Sequence, residues 1–308
     1  MMHRLTAWSV VLGVFVALTH AHAQTATSEW AAVLANEIRV VNNITYLTAS
    51  NWEAKLDVYV PRSAGPHPTM IQFHGGGWTG GSRESVALRA LPYLEMGMAV
   101  VNVSYRLRRI ERAPAAVEDT LCALRWVIRS AKDYGFDVTR IVTTGYSAGG
   151  HLALATGMIP ASQGLDRQCP GTEPLKVAAI VNWYGITDVA ELLDGPNVRN
   201  YAVEWLGSSP DRVEVAKRVS PLTYVRKDLP PILTIHGDAD PTVPYTQAQR
   251  LHSAVQQAGA VSELVTIPKG LHGNFPRADQ IRAVEAVRAF LVKHGVLRQP
   301  VSSSASGR

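Results

Sequence analysis

The 308-residue chain is 46% hydrophobic and 18% charged, proportions typical of a globular protein with ample material for a core. Its formal charge is +5, but the basic residues are mostly arginines scattered along the chain, which does not indicate a nucleic-acid partner. The densest basic group predicts a solvated surface segment, with a ligand-binding role as the alternative. It comprises Arg106, Arg108, Arg109 and Arg112.

The amino terminus has the pattern of a secretory signal peptide. A basic start over residues 1–4 precedes an apolar run over residues 7–18, and residues 21–23 form an A-x-A cleavage site. We therefore predict cleavage near Ala23 and export of the mature chain, to the periplasm or out of the cell. The alternative, a membrane anchor, would need roughly 20 apolar residues. No later segment approaches that length, so we expect no membrane span in the mature chain.

Residues 24–298 are predicted to form one domain, since no internal repeat or linker divides them. Short apolar, β-branched runs predict strands over residues 40–47, 55–60, 69–73, 99–105, 141–145, 177–184, 231–236 and 262–267. Helices are predicted over residues 84–96, 115–134, 151–158, 247–258 and 282–294. This alternation predicts an α/β fold with a doubly wound, mostly parallel sheet of about eight strands.

Two segments fall outside this alternation. Residues 188–229 mix short helices with Pro196, Pro210 and Pro221, which predicts a small lid inserted over the sheet edge. The serine-rich tail from Gln299 onward is expected to be disordered.

The sequence Gly145-Tyr146-Ser147-Ala148-Gly149 stands between a predicted strand and a predicted helix. That context is typical of a nucleophile elbow, in which a serine is raised clear of the strand end on a sharp turn. The turn strains the serine backbone and tolerates only small neighbours. The alternative is a glycine-rich turn with an incidental serine, because such short motifs also occur by chance.

Three consecutive glycines end another predicted strand, in His74-Gly75-Gly76-Gly77-Trp78. Without Cβ atoms, their backbone N–H groups can approach a bound oxygen, as an oxyanion hole requires. The alternative is a flexible loop. We expect His74 to brace this loop through hydrogen bonds rather than to take a proton.

An acid and a base follow the serine in the order Ser, Asp, His found in one class of hydrolases. Asp240 comes just after the seventh predicted strand and His272 just after the eighth. Both would therefore project from loops at the carboxyl end of the sheet, where open α/β sheets place their sites. Asp238 is the alternative acid.

The other histidines are weaker candidates for the base. His151 lies inside a predicted helix and is expected to pack, whereas His252 and His294 are expected at the surface. Histidine and cysteine are too dispersed to predict a metal site, and no organic cofactor is indicated.

Two cysteines, Cys122 and Cys169, are present in a chain predicted to be exported, where disulfides can form. Cys122 lies far round from the apolar stripe of its helix, on the side of Glu118 and Arg125. An outward-facing free cysteine would be unusual, because the residue prefers burial. We therefore hypothesise a Cys122–Cys169 disulfide.

Taken together, the motifs at residues 74–78, 145–150, 236–244 and 271–273 resemble those of the α/β-hydrolase superfamily. The resemblance covers roughly residues 56–291 and also rests on residues 103–107, 115–119 and 124–126. Within that superfamily, the sequence looks like the esterase branch with a His-Gly-Gly-Gly-Trp loop, which includes bifunctional feruloyl and acetylxylan esterases and neighbours the hormone-sensitive-lipase-like esterases. Only about fifty residues separate Gln24 from His74, too few for the long amino-terminal cap of those neighbours, which favours the feruloyl/acetyl type.

The resemblance implies a set of roles. Ser147 would be the nucleophile, Asp240 the acid and His272 the base. The backbone N–H groups that would form the oxyanion hole belong to Gly76, Gly77 and Ala148.

The implied reaction is hydrolysis of small-molecule or carbohydrate esters, such as acetyl or hydroxycinnamoyl esters, through an acyl-enzyme. Candidates for the substrate pocket are Trp78, Tyr146, Trp183 and Tyr184, with core packing an equal alternative for Trp183. Other readings are a serine peptidase of the prolyl-oligopeptidase kind, whose amino-terminal propeller is missing here, and a catalytically inactive binding protein. A dienelactone-type hydrolase would need cysteine at Ser147.

Overall fold

Eight strands form a single sheet in the computed structural model, which describes residue 32 and residues 36–299. In chain order they are β1 (Ile38–Ala49), β2 (Trp52–Pro61), β3 (His67–Phe73), β4 (Ala99–Val103), β5 (Phe136–Tyr146), β6 (Ala179–Trp183), β7 (Ile232–Gly237) and β8 (Ser262–Ile267). The helices are α1 (Leu91–Glu95), α2 (Ala115–Arg129), α3 (Ala131–Tyr134), α4 (Ala148–Met158), α5 (Asn200–Leu206), α6 (Arg212–Val219), α7 (Thr246–Gln257) and α8 (Arg277–Lys293). The predicted signal peptide, and all but the first residue of the predicted tail, lie outside the described residues.

The strand order is β1-β2-β4-β3-β5-β6-β7-β8, and every neighbouring pair from β4 to β8 is parallel. This confirms the predicted eight-stranded, mostly parallel sheet. β1 and β2 add an antiparallel hairpin at one edge. Its turn places Ser50 and Asn51 at positive φ, the backbone that a two-residue hairpin turn needs at both central positions.

The two faces of the sheet are packed by different helices. Helices α2, α4 and α7 cover one face, and α1 and α8 cover the other. Both β3 and β4 are buried along their whole length, as expected for central parallel strands covered on both faces. Among the described residues, no helix has the length and apolar character needed to cross a membrane.

Residues 188–229, predicted to be a lid, contain α5, α6 and three short 3₁₀ helices. Trp205 of α5 is fully buried, and Tyr201 of the same helix lines the cleft that contains Ser147. The segment therefore covers one side of the carboxyl end of the sheet. In open α/β folds, the ligand-binding crevice lies at this end.

The surface prediction for the basic group was wrong at one position. Arg108, Arg109 and Arg112 are exposed, but Arg106 is fully buried. Its guanidinium pairs with Asp119 at 2.7 Å (Nη2–Oδ1) and with Glu118 at 3.3 Å (Nη2–Oε2), both from α2. The apolar periodicity of α2 predicts that one face of this helix is buried. In the structure, the β1–β2 hairpin also covers a second face of α2.

The buried ion pair predicts a contrast between Arg106→Met and Arg108→Met. Removing Arg106 would leave Asp119 buried without a cation, a change that typically costs about 3–5 kcal/mol of unfolding free energy. Glu118 would keep its contact with Arg167, at 2.6 Å between Oε1 and Nε. Arg108 pairs with Glu204 at 2.9 Å, but both side chains are nearly half exposed, so its loss should cost about 1 kcal/mol or less. Urea unfolding of the two variants measures the difference, and equal losses would contradict the buried pairing.

Cys122 and Cys169 are joined by a disulfide, with Cα atoms 5.6 Å apart. Cys122 was nevertheless wrongly predicted to face outward. Cys122 is 1% exposed, because Leu47, Ala49 and Ala54 of the hairpin pack over it. The bridge links α2 to the loop after α4, which Arg125 also holds through Asp166 at 2.5 Å and Glu173 at 2.7 Å.

Replacing both cysteines with serine should destabilise the protein. The bridge spans 47 residues of chain, and the chain-entropy argument gives about 4 kcal/mol for a loop of that length. Urea unfolding with and without dithiothreitol tests this prediction. The reductant should lower the stability of the wild type to that of the double variant and leave the double variant unchanged.

Candidate active site

Ser147 occupies the turn between β5 and α4, in a backbone conformation rare for a non-glycine residue (φ 58°, ψ −120°). Its N–H donates to the Trp183 carbonyl at 2.9 Å, and its carbonyl accepts from the His151 N–H at 3.0 Å. The chain packs so tightly here that a Cβ on Gly145 would lie 2.2 Å from the Gly149 oxygen. The predicted small residues are therefore a steric requirement of the strained turn.

Asp240 and His272 reach Ser147 from the loops after β7 and β8. His272 Nε2 lies 2.9 Å from Ser147 Oγ, and His272 Nδ1 lies 2.7 Å from Asp240 Oδ2. Because an ionised carboxylate only accepts, Nδ1 carries the proton and Nε2 is left to accept from the serine hydroxyl. The structure thus brings the three residues together in the order that activates a serine.

Asp238, the alternative acid, does not take part. It is exposed, and its Oδ1 accepts the Lys269 N–H at 2.5 Å. Asp240 is buried instead, and its Oδ1 accepts the N–H groups of Thr242 at 2.8 Å and Val243 at 3.0 Å. These amide donors fix the plane of the carboxylate and leave Oδ2 facing the imidazole.

A second histidine contacts the same carboxylate oxygen. His236, at the end of β7, places Nε2 at 3.3 Å from Asp240 Oδ2 and at 3.1 Å from the Val243 carbonyl. Burial alone would raise the pKa of Asp240, but the hydrogen bonds from His236, His272 and the Val243 amide outweigh burial and hold that pKa well below its ordinary value. The sequence analysis assigned no role to His236. Its position four residues before Asp240, at the end of the same predicted strand, was the signal that could have indicated a contact with the acid.

We predict that His236→Phe lowers kcat about tenfold with little change in KM. A hydrogen bond to a charged group contributes about 1.5–3 kcal/mol. Because the amide donors of Thr242 and Val243 still hold the Asp240 carboxylate, the loss of transition-state stabilisation should be only part of this energy. His252→Phe is the matched control, since His252 is also buried but contacts none of the triad. Steady-state kinetics on p-nitrophenyl acetate measure both, and equal kcat values for the two variants would contradict a role for His236.

The glycine loop after β3 is braced by His74. Its Nδ1–H donates to the Gly75 carbonyl at 2.7 Å, and its ring stacks on Tyr105 with centroids 4.3 Å apart. The Tyr105 hydroxyl in turn donates to the His74 carbonyl at 2.8 Å. His74 therefore supports the loop, as expected from its position.

Gly76 and Gly77 both adopt positive φ (112° and 59°) and line the cleft that holds Ser147 and His272. Within the described part of the chain, no hydrogen bond engages the N–H groups of Gly76, Gly77 or Ala148. These donors are thus free to bind an oxygen at the serine. A fixed set of such donors stabilises a developing oxyanion.

The cleft above Ser147 has a volume of about 590 Å³. Of the four pocket candidates, Tyr146 and Tyr184 line it. Trp183 is 8% exposed and lines a neighbouring cavity instead. Tyr201 of the lid and Thr242 of the loop after β7 complete the wall.

Trp78 was wrongly predicted to lie in the pocket. It is fully buried, because Trp205 of the lid stacks on it with ring centroids 4.1 Å apart. Its Nε1–H donates to His151 Nδ1 at 3.2 Å, and His151 Nε2 donates to the Val219 carbonyl at 2.8 Å. Trp78 therefore anchors the lid to the glycine loop.

The surface prediction was also wrong for His252 and His294. His252 is 4% exposed, with neither ring nitrogen hydrogen-bonded to the described residues, and His294 is half-buried beside Phe290. Burial lowers the pKa of His74, His151 and His252 to about 4 in each case. Among residues 36–299, no three metal-binding side chains are grouped as an ion would require.

The BD-FAE family model matches residues 56–255. Esterase LipQ of Mycobacterium tuberculosis is 30% identical over 73% of this chain and 55% of its own length. An esterase of Gibberella moniliformis is 32% identical, over 58% of each protein. The chain spans about half the length of the curated relatives it matches.

Solved structures match over most of both chains. Thermogutta terrifontis esterase 2, in its butyrate-bound form, is 29% identical with a TM-score of 0.72, covering 86% of this chain and 97% of its own. A truncated carbohydrate esterase from gut microbiota is 28% identical with a TM-score of 0.71, covering 83% and 96% respectively.

Proposed function

The chain belongs to the BD-FAE family of α/β-hydrolase-type domains, and from this premise we propose that it is a serine carboxylic-ester hydrolase acting through an acyl-enzyme. The observation that carries the proposal is the chain of hydrogen bonds from Ser147 through His272 to Asp240. It lies beside the backbone N–H groups of the oxyanion-hole candidates, which make no hydrogen bond to the described residues. Matched relatives are named esterases and carboxylic ester hydrolases, which supports the same reaction class.

In the acylation step, Ser147 Oγ forms a bond to the ester carbonyl carbon while its proton moves to His272 Nε2. Asp240 stabilises the imidazolium, and the N–H groups of Gly76, Gly77 and Ala148 receive the negative carbonyl oxygen. When the intermediate collapses, the bond to the alcohol oxygen breaks and that oxygen takes the proton from Nε2. Water then repeats the sequence on the acyl-enzyme and releases the acid.

For the substrate, we propose acetyl or hydroxycinnamoyl esters of carbohydrates, or other small esters. A structural neighbour is described as a carbohydrate esterase, and the Thermogutta terrifontis enzyme was solved with propionate and with butyrate bound. A cleft of about 590 Å³ falls within the usual range for small-molecule sites. We also propose that the protein is exported, on the basis of the predicted leader peptide and the disulfide.

We predict that Ser147→Ala folds normally but hydrolyses p-nitrophenyl acetate about 10⁴-fold more slowly or worse, because it lacks the nucleophile. Ser253→Ala, at an exposed position on α7, is the control and should retain wild-type rates. Methyl ferulate and an aminoacyl-proline anilide should be assayed alongside. Anilide cleavage without ester cleavage would replace the proposal with a peptidase, and full activity of Ser147→Ala would exclude the mechanism.

A further inference from the structure

A second cavity of about 370 Å³ adjoins the catalytic cleft. The two share a wall made of Arg89, Tyr146, Tyr184 and Gly273. Tyr146 and Gly273 are the immediate chain neighbours of Ser147 and His272. The cavity therefore begins one residue away from both the nucleophile and the base.

The cavity is walled by apolar and aromatic side chains. Tyr93 and Met96 come from α1 and the turn after it, Trp183 from the end of β6, and Val284 and Val287 from α8. The hydroxyl of Tyr93 is already hydrogen-bonded within the protein. It accepts from Trp183 Nε1 at 3.3 Å and contacts Thr144 Oγ1 at 3.3 Å. Such a lining favours an apolar ligand group over a sugar or an ion.

Arg89 lies across the boundary between cleft and cavity. Its Cζ stands 4.0 Å from the centre of the Tyr146 ring, and its Nη1 donates to Tyr184 Oη at 3.3 Å. Among the described residues, the groups that act on its charge are the hydroxyls of Tyr184 and Tyr146, and no carboxylate is among them. A cation–π contact and one hydrogen bond to a neutral group are weak restraints, so the side chain can move aside at small cost.

One large apolar side chain of the cavity wall is left in solvent. Leu88, which lines the cavity, is 77% exposed. An apolar side chain exposed beside a cavity is consistent with a surface that receives an apolar ligand.

We propose that this cavity is a second substrate subsite, which binds an apolar or aromatic arm of the ester, and that Arg89 is the movable partition between it and Ser147. This inference rests on the proposed esterase function. Binding there would make kcat/KM rise about fourfold for each methylene added to the arm, until the cavity is filled.

The test uses two isomeric esters and a short reference. Methyl 3-phenylpropanoate carries the phenyl group on the acyl arm, 2-phenylethyl acetate carries it on the alcohol arm, and methyl acetate has neither. Val284→Trp fills the cavity, whereas Val292→Trp is the matched control, two turns along α8 and lining a different cavity. Rates are measured in a pH-stat, with circular dichroism to check each fold.

Val284→Trp should lower kcat/KM for at least one phenyl isomer tenfold or more while methyl acetate changes less than twofold. The isomer affected identifies the arm that the cavity binds. Val292→Trp should leave all three rates unchanged, and Arg89→Ala should raise the ratio of the affected isomer to methyl acetate.

Two results would overturn the inference. One is an unchanged ratio of phenyl ester to methyl acetate in a folded Val284→Trp variant, and the other is an unchanged or lower ratio in Arg89→Ala. Both leave the esterase function standing, whereas a wild type that cleaves none of the three esters would fail the proposed function itself.

Discussion

The strained turn at Ser147 is the constraint on which the site depends. A positive φ at a serine is unfavourable, and it is held here because β3, β5 and α4 meet without a Cβ between them; one on Gly149 would lie 2.2 Å from the Phe73 carbonyl oxygen. The same close approach fixes the oxyanion donors relative to the nucleophile. Because β3, β5, β7 and β8 run parallel, their carboxyl ends deliver the glycine loop, serine, acid and base to one edge of the sheet.

The buried carboxylates of Asp119 and Asp240 are stabilised in different ways. Asp119 faces the permanent cation of Arg106, so its charge is neutralised and serves the packing of α2. Asp240 receives only amide N–H groups and two imidazoles. Its negative charge is solvated by dipoles but not cancelled, and it can therefore stabilise His272 when that ring takes the proton from serine.

Local sequence patterns were sufficient to predict the strands, the nucleophile elbow and the order of acid and base. Each of these depends on a few adjacent residues and on the direction of the chain. The errors share a different origin. Cys122 is packed under the β1–β2 hairpin, and Arg106 donates to Ser50 Oγ in the turn of that hairpin at 3.2 Å. Trp78 is covered by Trp205 of the lid. The burial of all three therefore depends on segments remote in sequence. The contacts of Arg89 likewise join the 3₁₀ helix Glu84–Ala90 to the last residue of β5 and to the residue that follows β6. No periodicity within one element reveals such a contact.

Burial of three histidines is expected to make the stability of the fold depend on pH. His74 braces the glycine loop, His151 holds Trp78, and His252 sits in α7; in the folded chain their pKa values are lowered to about 4, whereas unfolded imidazoles titrate near about 6.5. Between these values the unfolded chain binds more protons, so stability is lost as the pH falls, by up to about 4 kcal/mol per pH unit if all three contribute. Protonation of these rings would therefore weaken the bracing of the glycine loop and the Trp78 anchor of the lid together, and the folded chain is expected to be most stable at neutral or alkaline pH.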